Sequence, residues 1–158
     1  MITKKEIYGI QELRDGLTME ILKRKFIWVL EAETKDAVLG IRDNKLIWYK
    51  GTWVYGIWKG GVWKYGTWKS GTWKYGTWEG GVWEYGKWEF GFWQEGLWGY
   101  GIWEDGVWEF GTWLRGTWKN GVWRDGIWED GTWKDGKWFE GEWKGGTWEN
   151  GIKIGMED

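Results

Sequence analysis

From Gly51 to Asn150 a glycine returns at every fifth residue and a tryptophan follows two places later, so that GTWKYGTWEG at 71–80 could stand for any part of that span. A period of five suits neither straight element. In a strand, side chains alternate with period two, and an odd repeat would throw successive tryptophans onto opposite faces. In a helix, five residues advance about 500°, leaving successive tryptophans roughly 140° apart, and a glycine in every unit would cost about 1 kcal/mol each. The chain must change direction once per unit, and glycine, which tolerates positive φ, marks the place. The residue after each glycine is Thr, Val or Ile in fifteen of the twenty units, Lys87, Phe92, Leu97, Lys137 and Glu142 being the others. β-Branched residues favour extended backbone. Each unit therefore reads as a three-residue strand centred on tryptophan, followed by a corner.

The array sets the division of the chain. Residues 1–45 have ordinary composition and read as an N-terminal cap, 46–155 as the repeat array and 156–158 as a tail. Leu46–Lys50 is a unit without its glycine, and Gly151–Gly155 is one without its tryptophan. Such degenerate ends suit the places where stacking stops. In the cap, Thr3-Lys4-Lys5-Glu6 fits a capping box and predicts a helix near 4–14, ended by Asp15-Gly16. Leu17, Met19 and Ile21 alternate as in a strand, though Leu17 and Ile21 could equally extend a helix. Residues 25–33, 37–42 and 45–50 read as strands, the last two joined at Asp43-Asn44.

Two ways of turning the corner fit this all-β repeat with its small α+β cap. The first is an antiparallel meander of three-residue strands, coiled with the tryptophans inward. Asp105-Gly106, Asn120-Gly121, Asp125-Gly126, Asp130-Gly131, Asp135-Gly136 and Asn150-Gly151 are strong hairpin dipeptides. Fifth-position aromatics at Tyr55, Tyr65, Tyr75 and Tyr85, then Phe90, Tyr100 and Phe110, recur at mostly ten-residue spacing. In a meander that spacing lines one edge. The second is a forward-moving coil of four pentapeptides per turn. Gly71 and Trp73 match the small and large inward positions of the pentapeptide-repeat β-helix family, which the unit resembles. The Gly-x-Trp-x-x-Gly core, as in Gly141–Gly146 and Gly116–Gly121, also looks like the hairpin of MORN (membrane occupation and recognition nexus) repeats. That resemblance covers about 51–150 and part of the longer MORN unit, and it implies an antiparallel scaffold. The meander is the reading carried forward.

The tryptophans are the candidate structural core: Trp53, Trp58, Trp63, Trp68, Trp73, Trp78, Trp83, Trp88, Trp93, Trp98, Trp103, Trp108, Trp113, Trp118, Trp123, Trp128, Trp133, Trp138, Trp143 and Trp148. Burying one removes roughly 150–250 Å² from water, worth on the order of 4–6 kcal/mol at about 25 cal/mol/Å². That return is needed against about 1–2 kcal/mol of backbone entropy per ordered residue. A solvent-exposed indole platform for sugars would forfeit it. Phe26, Trp28 and Trp48 are expected to close one end.

Composition narrows the function. There is no histidine or cysteine, so structural zinc sites and Ser-His or thiol nucleophiles are excluded. No cofactor or metal is expected. A formal charge of -2 speaks against a dedicated nucleic-acid binder. The longest apolar run, Phe26 to Leu30, is too short for a membrane span or a signal-peptide core, which makes an intracellular location the expectation. Residues 51–75 carry four basic and no acidic side chains, while 76–110 carry one basic and seven acidic. Lys59, Lys64, Lys69 and Lys74, then Glu79, Glu84 and Glu89, are either a solvated face or a polarity that steers a protein partner or self-association. Carboxylate pairs such as Glu104/Asp105 and Glu129/Asp130 have no pocket signal, and no enzymatic activity is expected. The leading function is a non-catalytic scaffold presenting a rigid β surface to proteins. A ligand- or carbohydrate-binding module anchored on Tyr55, Tyr65, Tyr75 and Tyr85 is the alternative.

Overall fold

A computed structural model describes residues 8–155. The cap begins with strand β1 (Ile10–Leu13), helix α1 (Met19–Lys25) and helix α2 (Ile27–Glu31). A hairpin of β2 (Glu33–Arg42) and β3 (Lys45–Tyr55) follows. From Ile57 the chain is a succession of two-residue strands, each ending on a tryptophan until the last, Ile152–Lys153.

Strand direction decides the architecture. Every array strand pairs in parallel with the strand fifteen residues away. Trp48 thus opposes Trp63, then Trp78, Trp93, Trp108, Trp123, Trp138 and finally Lys153, seven steps in all. Trp53 starts a second column running to Trp143. Trp58 starts a third running to Trp148. The array is therefore a three-sided parallel β-solenoid, one pentapeptide per side. At about 4.8 Å per coil, seven steps rise roughly 34 Å.

The antiparallel meander is thereby corrected, and with it the antiparallel sheet that the MORN resemblance implies. The four-pentapeptide coil is corrected to three. The reason lies in the corners. A two-residue hairpin turn of type I′ needs positive φ at both central residues. Among the described residues, positive φ outside glycine occurs only at Asp15, Asp36, Asp43 and Asn44. Asp43-Asn44 does make such a turn, between β2 and β3. At the array corners only the glycine crosses over, and the aspartate before it binds forward instead. The Oδ1 atoms of Asp105, Asp125, Asp130 and Asp135 each accept from the following glycine N–H at 2.8 Å. The chain bends and continues.

Inter-coil bonds repeat as regularly as the sequence. In each unit the second and fourth residues donate to the glycine and tryptophan carbonyls of the coil before, as Thr72 does to Gly56 (3.0 Å) and Lys74 to Trp58 (2.8 Å). The glycine itself must be a glycine. Gly81 has φ +113, and a Cβ there would lie 2.2 Å from the Gly66 oxygen and 2.8 Å from its nitrogen.

The indoles fill the lumen. Along each column they stack with ring centroids from 4.6 to 5.0 Å apart and planes within 7°. Around each coil they meet edge to face, as between Trp98 and Trp103 (5.9 Å, 69°). Both geometries are the favoured ones for aromatic pairs. Three large, flat side chains, one from each wall, close the core edge to face. From Trp48 to Trp138 they are all buried, whereas Trp143 and Trp148 at the open end are half-buried. Seven indole N–H groups donate to a corner carbonyl of the next coil, for example Trp103 to Asn120 at 3.1 Å. Eleven others, Trp98 included, are buried without such a bond among the described residues.

Both ends are finished differently. At the first coil, Trp28 of α2 packs edge-on against Trp58 (5.1 Å) and tilted against Trp53 (6.4 Å), with Phe26 behind it. Trp48 is the first member of a column rather than a lid. At the last coil Lys153 takes the place of a tryptophan, and its ammonium sits 5.0 Å over the Trp148 ring. Two expectations in the cap are overturned. Ile10–Leu13 is a strand paired in parallel with β2, and residues 4–7 of the expected helix lie outside the described residues. Residues 25–33 are mostly helix rather than strand, because Val29, Leu30 and Trp28 turn their apolar side onto the first coil. Met19–Lys25 is helical, with the Thr18 hydroxyl accepting from the Ile21 N–H (3.2 Å). No described helix is long and apolar enough to cross a membrane.

Candidate interaction surface

With the inward position of each unit given to indole, chemical variety is confined to the second, fourth and fifth residues, which line the outside. Each forms three vertical columns with a fifteen-residue step, and this step regroups the residues singled out in the sequence.

The fifth-position aromatics do not share an edge. Ten residues are two thirds of a coil, so Tyr55, Tyr65 and Tyr75 stand on three different corners, and Tyr85 returns to the corner of Tyr55. The first corner reads Tyr55, Ser70, Tyr85, Tyr100. The second carries Tyr75 and Phe90, and the third Tyr65 and Phe110. Coil spacing brings neighbours into contact: Tyr75 and Phe90 stack at 5.8 Å, and Tyr85 and Tyr100 lie 5.5 Å apart. All seven rings are about half exposed or more. Phe90 and Tyr100 belong to these ladders as much as Tyr75 and Tyr85 do. The signal that finds them is periodicity of fifteen.

The same step explains the blocks of charge. Adding fifteen to Lys64, Lys69 and Lys74 gives Glu79, Glu84 and Glu89, so the basic run lies directly beneath the acidic one. Lys64 pairs with Glu79 at 3.5 Å and Lys74 with Glu89 at 3.9 Å. Farther along, Glu104–Lys119, Glu109–Arg124, Glu129–Lys144 and Lys134–Glu149 repeat the pattern at 3.3 to 4.0 Å. Lys59, Lys69 and Glu84 make no ion pair among the described residues. These pairs are a third to a half exposed, where a single bridge is worth about 0–1 kcal/mol. Much of the polarity legible along the chain is thus matched within it.

The carboxylates considered for acid–base chemistry have other occupations. Glu104 holds both Lys87 (3.6 Å) and Lys119 (3.3 Å), and Glu129 holds Lys144. Asp105 and Asp130 cap their corner glycines. Among the described residues no three Asp or Glu side chains gather as a metal site would require.

Grooves run between the corner ladders. One of about 580 Å³ near the C-terminal end is lined by Phe110, Arg124, Asp125, Phe139 and Ile154, with the Arg124 guanidinium 5.1 Å over the Phe139 ring. Another, of about 240 Å³, lies between Tyr55 and Tyr85. In the cap, the Tyr49 hydroxyl donates to Asp15. That bond raises the phenol's pKa above its ordinary value, with partial burial acting the same way.

Comparison of the chain with protein-family models, curated proteins and solved structures finds no match.

Proposed function

We propose that this chain is a non-catalytic scaffold, a short rigid post whose outward corner columns make contacts with other proteins. One observation carries the reading: the rings of Tyr75–Phe90 and Tyr85–Tyr100 are stacked at fixed spacing yet about half exposed. Exposed aromatic patches on a soluble surface mark interaction sites, and aromatic residues are enriched where proteins meet. Their order is prepaid by the solenoid, so little side-chain entropy remains to be lost on binding. The inter-coil ion pairs would then serve solubility around the aromatic rows.

The test is proximity labelling in the native host with wild-type protein and a Tyr75→Ser/Phe90→Ser variant, both first shown to share a far-ultraviolet spectrum. The scaffold reading expects specific labelled neighbours with the wild type and their loss with the variant. An identical set of labelled proteins for the two would reject the corner ladder as the contact surface.

A further inference from the structure

The corner that carries Tyr55, Ser70, Tyr85 and Tyr100 is an aromatic ladder with one rung missing. Tyr85 and Tyr100 occupy successive coils with centroids 5.5 Å apart. Tyr55 and Tyr85 are two coils apart, roughly 9.6 Å at the spacing of parallel strands. Between them stands the short Ser70, and the space it leaves is the groove of about 240 Å³, lined also by Thr72 and Lys87. A flat ring placed there would lie roughly 4.8 Å from the ring on either side, the separation the core indoles themselves adopt.

The other corners lack this arrangement among the described residues. Tyr75 has Gly60 below it rather than a second ring. Tyr65 and Phe110 are separated by two positions, Gly80 and Glu95. Only at Ser70 is a vacancy one ring thick closed above and below by aromatic faces.

We propose that this slot receives a single neutral aromatic side chain, tryptophan or tyrosine, from a protein partner. Thickness selects a planar ring. Neutrality follows from Lys87, the charged residue of the lining, whose ammonium is already held by Glu104 at 3.6 Å. The source follows from size and openness. The groove falls below the roughly 300–1,000 Å³ of sites that engulf a free ligand, and its walls are more than half exposed. It clamps both faces of a ring and leaves the rim in solvent, as suits a side chain tethered to a larger body. The Ser70 hydroxyl offers the ring's polar edge a hydrogen-bond partner. The partner's being a protein rests on the scaffold reading, whereas the slot's preference for a ring does not.

The experiment is a titration of the full chain with N-acetyl-tryptophanamide, followed by the NMR resonances of Tyr55, Ser70 and Tyr85. Two stacking contacts predict saturable shifts with a Kd on the order of 1–10 mM, and ring-current upfield shifts of the probe. Ser70→Tyr fills the gap with the residue its neighbours already carry and is expected to abolish the shifts, while Ser70→Ala retains them within about twofold. Tyr85→Ser removes one wall and is expected to weaken binding at least about tenfold, whatever the fate of the Ser70→Tyr variant. Absence of saturable shifts, undiminished binding by Tyr85→Ser, or stronger binding of methyl β-glucoside would overturn the proposal. Since the probe needs no cellular partner, a failed titration is separable from a failed labelling experiment.

Discussion

Gly80 and Gly81 are neighbours in the sequence and opposites in the structure, so alanine at each makes a controlled comparison. Gly80 occupies the fifth position of its unit. A Cβ there would meet the Lys64 carbonyl at 3.6 Å and the Tyr65 ring at 3.7 Å, ordinary contacts on a backbone without positive φ. Removing a glycine at such a site stabilises by about 0.4–1 kcal/mol through the unfolded chain. Gly81 has φ +113, and its Cβ would press 2.2 Å from the Gly66 oxygen. That backbone region costs an ordinary residue of order 1–3 kcal/mol. Relieving the clash must also part the coils where Val82 donates to Gly66 (2.9 Å) and Leu97 to Gly81 (3.0 Å), at about 1 kcal/mol per bond. Gly81→Ala should therefore destabilise by about 3–5 kcal/mol, which for a chain of this size corresponds to a Tm roughly 6–20 °C lower. Thermal and urea unfolding followed by circular dichroism, with amide exchange to locate the loss at the coils around residues 66–97, measures it. If Gly81→Ala and Gly80→Ala unfold within about 1 kcal/mol of each other, the account of the glycine column is wrong.

Three further outcomes are expected. Trp103→Phe should cost about 1 kcal/mol more than Trp98→Phe in urea unfolding. Both indoles are buried, but only Trp103 loses a hydrogen bond, the one to Asn120; equal costs would show that bond to be worth nothing. Glu79→Lys places like charges above one another on the column of Lys64 and should lower stability by less than about 1 kcal/mol. The deficit should fade in about 1 M salt and reverse when Lys64→Glu is added. Tyr49, whose pKa is raised by its bond to Asp15, holds its proton more tightly folded than unfolded. Its contribution is fully present below the ordinary tyrosine pKa of about 10 and is lost as pH rises beyond it. The difference in unfolding free energy between wild type and Tyr49→Phe should shrink across that range, and a constant difference would refute the assignment.

The repeat unit itself was legible because a period of five admits no straight element, and glycine names the bend. Its direction was not. Asp-Gly and Asn-Gly serve a reversing I′ turn equally well as a sequence, and only the φ of the aspartate, fixed by its own Oδ1 bond to the next N–H, separates bend from reversal. The number of sides was not legible either. It depends on how three indoles fill a lumen edge to face, a property of ring shape that a one-dimensional pattern does not carry. The charge blocks held the missing datum, since lysines at 64, 69 and 74 lie fifteen residues before glutamates at 79, 84 and 89. A search for complementary charge at equal offsets would have chosen three sides over four. In the cap, Lys25–Glu33 misled because Phe26, Ile27, Val29 and Leu30 are as apolar as a buried strand, and a short apolar run does not reveal its own period.

The pairing step has a kinetic consequence. Parallel sheets generally assemble slowly because their partners are far apart along the chain. Here each array strand finds its partner fifteen residues back, so the relative contact order of the array is about 0.1, in the range of helical bundles. The hairpin of β2 and β3, closed by α2, supplies a finished edge on which the first coil can be laid, and each coil then templates the next. A nascent chain would thus be able to fold as it emerges, one triangle of indoles at a time, from the capped end toward the open one.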